Sequence, residues 1–280
     1  MRVTEGEEFK ELKQLVQGRH LHTVCEEARC PNIYDCWSRR TATFMILGDV
    51  CTRACRFCAV TSGRPAELDL GEPLRVADSV AELGLKHAVI TSVDRDDLRD
   101  GGSGIFARTI RAIRRRSPGT TIEVLTPDFQ GDFEAVRTVV DAGPDIFNHK
   151  TETVPRLYSR IRPKAVYANS LALLRHVKTL APQMVTKSGL MVGLGETEEE
   201  LLEVFRNMRA HNIDVLTVGQ YLRPSRKHAE VARYYSPQEF ADLKRQALSM
   251  GFGHVEAGPL VRSSYHADEQ IPARKNLLAG

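Results

Sequence analysis

Cysteine is absent from most of this 280-residue chain, because all six cysteines lie between residues 25 and 58. Six cysteines are formally enough for three disulfides. Such tight clustering at one end of a chain nevertheless favours metal chemistry over a disulfide framework. The sequence therefore directs attention to two short stretches near its N-terminal end.

We expect no secretory leader and no membrane-spanning segment, and the net charge is small. Its first ten residues, MRVTEGEEFK, are acidic and polar where a leader would be basic and then apolar. No apolar stretch approaches the length of a membrane span. We therefore expect a cytoplasmic protein that does not associate with membranes. The net charge of +3 gives no case for nucleic-acid binding.

After the first forty residues, short apolar runs alternate with segments whose apolar residues recur at helical spacing. The predicted strands are TFMILG (43–48), HAVITSV (87–93), TIEVLTP (121–127), DIFNH (145–149), VTKSGLMVG (185–193) and DVLTVGQY (214–221). The predicted helices cover residues 72–83, 104–116, 133–141, 169–180, 198–210 and 237–250. Six βα units predict an α/β fold with a parallel sheet and right-handed crossovers. We expect a partial (β/α)6 barrel, shorter than the closed eight-unit form.

Two segments lie outside this βα rhythm. Residues 1–42 are expected to form an N-terminal extension, residues 43–251 the partial barrel, and residues 252–280 a C-terminal extension. A length of 280 residues with 42% hydrophobic content is compatible with one large domain and a full core. We therefore expect the three segments to make one structural domain.

The stretch CTRACRFC places Cys51, Cys55 and Cys58 within eight residues. A structural zinc ion usually takes four protein ligands, and this stretch offers three thiols with no nearby fourth. A 4Fe–4S cubane held by three cysteines keeps one iron without a protein ligand, and that iron is open to a substrate or cofactor. Because the stretch begins three residues after the first predicted strand, we expect it at the carboxyl ends of the strands, where ligands bind in such folds.

A second triad lies upstream in CEEARCPNIYDC, which contains Cys25, Cys30 and Cys36. Its position in the N-terminal extension, close to the other triad, indicates a second metal site and argues against isolated buried thiols. A zinc site with His20 or His22 as the fourth ligand is the alternative at this point.

The motifs C-x₃-C-x₂-C, C-x₄-C-x₅-C and RSSYHAD together resemble the lipoyl synthases, a family of the radical S-adenosylmethionine (SAM) superfamily. The resemblance covers nearly the whole chain and implies a fold of the radical SAM type. It implies that SAM chelates the open iron of the Cys51, Cys55 and Cys58 cluster and is cleaved to a 5′-deoxyadenosyl radical. Hydrogen abstraction from an unactivated carbon is then the task of the cofactor, while the protein orients and shields it.

The resemblance also implies the substrate and the source of sulfur. The family substrate is an octanoyl chain on a lysine of a carrier domain, and sulfur is inserted at C6 and C8. The second 4Fe–4S cluster, on Cys25, Cys30 and Cys36, is the sulfur donor, which makes the enzyme a sulfurtransferase. Its fourth ligand is the serine before the tyrosine of RSSY, Ser264, whose oxygen is a harder and more exchangeable iron ligand than a thiolate.

The stretch GLMVGLGE, residues 189–196, matches the superfamily pattern G-x-apolar-x-G-x-x-E that is associated with the adenosyl group. Its glycines allow close approach of a ligand to the backbone. The stretch also reads as an ordinary strand-to-helix turn, since Thr197 with Glu200 predicts a capping box. The residues expected to bind SAM are Asn148, Gly193, Gly195, Glu196, Gln220 and Tyr221, with His149 beside the first of them.

Two features depart from common patterns. Lys150 follows Asn148 and His149 where lipoyl synthases often have a second asparagine, so the role of this position is open. The acidic residues Asp94, Asp96 and Asp97 follow the second strand. A divalent-cation site is one interpretation, but their mixture with arginines is more typical of an ion-paired loop.

The resemblance implies three kinds of partner. They are octanoylated carrier domains, such as the glycine cleavage H protein or 2-oxoacid dehydrogenase E2 subunits, a ferredoxin or flavodoxin reductant, and an iron–sulfur carrier that rebuilds the spent cluster. A biotin-synthase-like enzyme is one alternative, although its auxiliary cluster is ligated from within the barrel. A zinc-binding interaction module is another, and it would be colourless where two iron–sulfur clusters give a brown protein.

Overall fold

A computed structural model describes residues 18, 21–27, 30, 32–65, 67–265 and 267. The chain divides into two compact units. The first takes the described residues within 1–52, 60–145 and 264–268, and the second those within 53–59 and 146–263. The boundaries expected after residues 42 and 251 stay predictions.

The first unit is built on a sheet with the strand order β1-β2-β5-β6. β1 is antiparallel to β2, while β2, β5 and β6 are mutually parallel, so that Phe44 faces Ile90 in register. All six residues of β2 are buried, as expected for a strand that is covered on both faces. β3 and β4 form a separate parallel pair. The strands are β1 (His22–Thr23), β2 (Thr41–Ile46), β3 (Val50–Cys51), β4 (Thr61–Ser62), β5 (His87–Ser92) and β6 (Thr121–Leu125).

Two short helices of the first unit precede β2, and its three longer helices follow the parallel strands. α4 buries Phe106, Ile110 and Ile113, which share one face at helical spacing. Asp132 caps α5 by accepting the backbone N–H groups of Glu134 and Ala135. A 3₁₀ turn, Phe129–Gly131, precedes α5. The α-helices are α1 (Val24–Glu27), α2 (Ile33–Ser38), α3 (Glu72–Glu82), α4 (Ser103–Arg116) and α5 (Phe133–Val140).

The second unit contains four parallel strands in the order β7-β8-β9-β10. All six residues of β9 are buried, so the strand is covered on both faces. The strands are β7 (Ile146–Asn148), β8 (Val185–Val192), β9 (Val215–Gln220) and β10 (His254–Gly258). The loops that follow β7, β8 and β9 therefore share the carboxyl edge of this sheet.

Capping boxes start two helices of the second unit. Thr197 begins α8 and Ser236 begins α9, and each exchanges hydrogen bonds with a glutamate three residues later. A 3₁₀ turn, Pro155–Leu157, precedes the first α-helix. The α-helices are α6 (Tyr158–Ile161), α7 (Tyr167–Leu180), α8 (Glu198–Ala210) and α9 (Pro237–Ser249).

All six predicted strands and all six predicted helices are present, and their ends differ from prediction by two residues at most. The first predicted strand ends earlier because Leu47 and Gly48 adopt positive φ angles of 70° and 90°. Four strands, β1, β3, β4 and β10, and three short helices, α1, α2 and α6, were not predicted. β10 has the sequence HVEAG, which alternates polar and apolar residues but is short and has a single β-branched residue, so it carries little strand signal.

Candidate functional site

Cys51 lies in β3 of the first unit, five residues beyond the end of β2. The backbone N–H of Asp94, which follows β5, donates to Cys51 Sγ at 3.3 Å. A second hydrogen bond joins the same two segments, because the Thr52 N–H donates to the Asp94 carbonyl at 3.0 Å. An N–H directed at a sulfur stabilises the thiolate form, which is the form that binds iron. The Cys51 environment therefore fits an iron ligand.

Cys55 and Cys58 belong to the second unit, where they occupy one tight turn. The Cys58 N–H donates to the Cys55 carbonyl at 3.1 Å, and both side chains are partly exposed. The intervening Arg56 is fixed at its backbone, since its N–H donates to Ile161 O at 2.9 Å and its carbonyl accepts from Ala229 N–H at 2.8 Å. Two thiols on a braced turn with access to solvent match the donor set of a cluster that must meet a substrate.

His228 also braces this turn, and the sequence did not reveal it. Its Nε2 lies 3.0 Å from Cys58 O and its Nδ1 lies 2.9 Å from Ser225 Oγ. A carbonyl only accepts, so Nε2 carries the proton in this contact. A single histidine in a polar loop gives no sequence signal for such a role.

In the acidic loop after β5, the predicted ion pairing is observed for Asp97, which pairs with Arg95. Arg95, only 4% exposed, donates to both carboxylate oxygens of Asp97 at 2.8 Å and to Leu47 O at 3.2 Å. The hydrogen bonds from Arg95 hold the pKa of Asp97 below its usual range. Among the described residues, no three His, Cys, Asp or Glu side chains converge as the ligands of a single metal ion do.

The upstream cysteines flank α2. Cys30 precedes the helix and its carbonyl accepts from Ile33 N–H at 3.4 Å, while Cys36 lies within the helix and is buried. The side chain of Cys25 lies outside the described part of the chain, as does His20. His22 Nδ1 is 3.3 Å from Glu27 Oε1. Of the two cysteines whose side chains are described, only Cys36 is therefore held within a helix.

Glu196 closes the loop between β8 and α8. Its Oε1 accepts the Gly193 N–H at 2.5 Å and the Tyr235 hydroxyl at 2.9 Å, and its Oε2 accepts the Leu194 N–H at 2.9 Å. Gly193 has φ +96°, and a Cβ there would lie 2.3 Å from Gln220 Nε2 and 2.5 Å from a backbone carbonyl. The glycine is therefore required by both backbone conformation and close packing.

The polar groups of Gln220 and Tyr221 are engaged inside the protein. Gln220 is buried, its Nε2 donates to Val192 O at 3.2 Å and Arg233 O at 3.1 Å, and its Oε1 accepts from Tyr235 N–H at 3.0 Å. The Tyr221 hydroxyl donates to Ala229 O at 2.9 Å. These side chains hold the loops after β8 and β9 together.

Asn148 is the last residue of β7, and His149 and Lys150 follow it. Asn148 and His149 are buried, and His149 Nε2 lies 3.1 Å from Ser170 Oγ. Lys150 Nζ forms an ion pair with Glu152 at 2.7 Å, with both side chains mostly buried. The observed partner of Lys150 is thus a neighbouring carboxylate, and its functional role is still open.

Ser264 lies in a turn, where its carbonyl accepts from Ala267 N–H at 3.4 Å. The preceding residue is anchored in the second unit, because the Lys187 ammonium donates to Ser263 O at 2.5 Å. Lys187 has no exposed surface, although it lies in the apolar strand β8. A lysine within an otherwise buried strand indicates that its ammonium group has a specific partner, but the sequence does not identify that partner.

Curated relatives match this chain over almost its full length. It is 64% identical over 278 residues to lipoyl synthase of Rubrobacter xylanophilus, covering 99% of this chain and 87% of that protein. It is 59% identical to lipoyl synthase of Oceanobacillus iheyensis, covering 96% and 86%. The chain belongs to the lipoyl synthase family. The model of the radical SAM superfamily also matches residues 45–208.

Solved structures support the same fold. The hydrogenase maturase HydG of Carboxydothermus hydrogenoformans superposes with a TM-score of 0.63 at 16% identity, covering 94% of this chain and 68% of that one. The predicted α/β fold of the radical SAM type is therefore confirmed. Radical SAM lipoyl synthases are sulfurtransferases that use SAM and two 4Fe–4S clusters, so both predicted cofactors are confirmed at the level of the family. No described helix is both long and apolar enough to cross a membrane.

Proposed function

We propose that this chain converts a protein-bound octanoyl-lysine into a lipoyl group by inserting sulfur at C6 and C8. The observation that carries the proposal is the 64% identity to a lipoyl synthase over 99% of the chain, together with both cysteine triads and RSSY. The substrates are octanoylated carrier domains, with the glycine cleavage H protein and 2-oxoacid dehydrogenase E2 subunits as the candidates.

Cys51, Cys55 and Cys58 are the proposed ligands of the cluster that activates SAM. Such a cluster would supply the electron that splits SAM into methionine and a 5′-deoxyadenosyl radical, the species able to remove hydrogen from an unactivated carbon. The protein keeps each ligand in place through its backbone. Asp94 N–H is directed at Cys51 Sγ, and the turn of Cys55 and Cys58 is braced by His228.

The SAM-binding set is proposed to act mainly through the shape of its loops. The side chains of Glu196, Gln220 and Tyr221 form hydrogen bonds with neighbouring backbone groups. Gly195 is exposed and has no side chain, so it allows a ligand to approach the backbone, whereas Gly193 is buried and allows Gln220 and Arg233 O to pack closely against the loop. Asn148 completes the proposed set from the end of β7.

Cys25, Cys30, Cys36 and Ser264 are the proposed ligands of the auxiliary cluster, which is consumed as the sulfur donor. Three thiolates and one serine oxygen give that cluster one iron with a harder, more exchangeable ligand. Lys187 supports this assignment, because it fixes the carbonyl that directly precedes Ser264. A consumed cluster requires an iron–sulfur carrier for repair, and a ferredoxin or flavodoxin is the proposed electron source.

Paired cysteine substitutions test whether one triad supports SAM cleavage and the other supports sulfur donation. Anaerobically reconstituted wild-type protein should bind about eight irons, four for each cubane. Cys55→Ala should lose about half of them together with SAM cleavage. Cys30→Ala should lose about half yet still produce measurable 5′-deoxyadenosine. Each variant is the matched control for the other, with iron analysis and chromatography as the readouts. Equal loss of SAM cleavage while one cluster stays intact in each variant would contradict the assignment.

A further inference from the structure

The segment 222–236, which we call the basic segment, connects β9 to α9 in the second unit. Its Ala229 N–H donates to Arg56 O in the turn of Cys55 and Cys58, at 2.8 Å. Its Ala232 N–H donates to Gly193 O at 2.8 Å, in the loop closed by Glu196. The basic segment therefore joins the loop proposed to hold a cluster to the loop proposed to hold SAM.

The basic segment is rich in cations. It contains Arg223, Arg226, Lys227 and Arg233, with Glu230 as its single carboxylate. Arg233 is neutralised by Glu239 at 2.5 Å. Arg223 lies 3.8 Å from Glu230 and donates to the carbonyls of residues 226 and 228. The exposed side chains of Arg226 and Lys227 have no polar partner among the described residues.

Cations from neighbouring loops extend this surface. Arg56 is exposed and lies within electrostatic reach of the basic segment. Burial raises the pKa of Tyr221, whereas the charges of Arg223 and Arg56 oppose that rise. Arg160 donates to Leu194 O at 2.5 Å and lies 3.6 Å from the position of a Cβ on Gly195. Several guanidinium groups thus border both loops.

Apolar side chains lie between these charges. Leu222 is 41% exposed and Tyr234 is 69% exposed, although both flank buried residues. Tyrosine and arginine are enriched in protein interfaces, where an apolar contact is ringed by polar groups. This combination of exposed apolar side chains and cations is better suited to binding a protein partner than to binding a small anion.

We propose that the basic segment, together with Arg56, is the docking surface for an acidic face of the octanoylated carrier domain. The inference rests on the proposed function. The acyl chain must reach the space bordered by the cluster turn and the Gly193 loop, and this surface joins those two loops. Complementary charge accelerates encounter and fixes the register of two proteins. Carboxylates next to the octanoyl-lysine are the feature of the carrier that this surface would recognise.

Direct binding tests the proposal with the cluster-loaded enzyme. The probe is octanoylated glycine cleavage H protein, and its Kd is measured by isothermal titration at low and at high salt. Arg226→Glu with Lys227→Glu should weaken binding at low salt by about tenfold or more, because like charges then face each other. The same variant should lose most of the salt dependence that the wild type shows. The matched control is Arg175→Glu with Arg206→Glu, which makes the same change in charge on exposed faces of α7 and α8 and should shift Kd by less than twofold.

Two further measurements separate the outcomes. Conversion of a short octanoyl-lysyl peptide by the wild type with dithionite tests the proposed function alone, and its absence would overturn that function. If the peptide is converted while both double variants bind the carrier equally well, the docking surface is wrong and the function stands. The proposal would also be overturned if the Arg226→Glu, Lys227→Glu variant bound the carrier normally but bound flavodoxin, an oligonucleotide or anionic vesicles more weakly than the wild type does. Restored binding by a carrier with lysines in place of its carboxylates would support it.

Discussion

Glu196 shows at the residue scale how one carboxylate can organise a ligand loop. It accepts two backbone N–H groups and the Tyr235 hydroxyl, and it is almost fully buried. Burial, together with the charge and hydrogen bond of Glu196, raises the pKa of Tyr235, so this hydroxyl stays protonated and continues to donate. The arrangement requires an acceptor at both carboxylate oxygens.

Replacing Glu196 tests that requirement. Glu196→Gln places an amide N–H₂ against an N–H donor, so we expect a loss of about 1–3 kcal/mol in the free energy of unfolding and weaker SAM binding. Tyr235→Phe removes one bond to a charged group and should cost about 1.5 kcal/mol. The exposed Glu199→Gln is the control and should change little. Urea unfolding and equilibrium dialysis with SAM provide the measurements. Full stability in Glu196→Gln would show that the loop does not depend on this carboxylate.

Ser264→Ala tests the proposed oxygen ligand. The substitution removes one ligand from one iron while three thiolates stay, so the auxiliary cluster should assemble with lower stability. SAM cleavage should persist because it depends on the other triad, whereas lipoyl formation should fall sharply. Ser263→Ala is the matched control, because its carbonyl contact with Lys187 is a backbone contact and survives. Mass spectrometry of the peptide product measures the difference, and full lipoyl formation by Ser264→Ala would refute the ligand role.

Spacing and residue type predicted the ligand candidates, but not what the polar residues do. Three thiols within eight residues can be recognised without coordinates, because the spacing itself limits the metal chemistry. Gln220 could be placed at the end of a strand from the sequence. In the structure its amide donates to the carbonyls of Val192 and Arg233. The second contact depends on the path of residues 222–236, which no local sequence pattern defines.

At the scale of elements, hydrogen-bonded caps fix where the helices begin. Thr197→Ala removes the acceptor for Glu200 N–H at the start of α8, next to the Glu196 loop. We expect a loss of about 1 kcal/mol in the free energy of unfolding. Thr179→Ala in α7 is the control, since Thr179 only bonds back to Arg175 O within a helix. That change should be close to neutral. Equal effects in urea unfolding would contradict the capping role of Thr197.

The elements that were predicted and those that were missed differ in sequence signal, as α8 and β10 show. α8 combines a capping box with apolar positions at helical spacing, and both of its ends were predicted without error. β10 is short and has a single β-branched residue, and it is paired along its length with β9. Pairing of this kind is set by tertiary structure and has no local signature.

At the scale of the whole molecule, the clusters of the two cysteine triads are expected to differ in what happens to them during turnover. The cluster of Cys51, Cys55 and Cys58 should survive turnover, whereas the cluster of Cys25, Cys30 and Cys36 should be consumed. Because a consumed cluster cannot act twice, product should plateau near one lipoyl group per chain unless another protein restores iron and sulfur. A monothiolated peptide should precede the product, since the first C–S bond forms before the second hydrogen is removed.

Isotope tracing tests this central claim most directly. Protein reconstituted with ³⁴S-sulfide receives excess SAM, dithionite and an octanoyl-lysyl peptide in buffer that contains unlabelled sulfide. Mass spectrometry of quenched time points should find ³⁴S at both inserted positions, undiluted by the buffer, and a plateau near one product per chain. Unlabelled product, or many turnovers without a repair partner, would contradict the consumption of the auxiliary cluster.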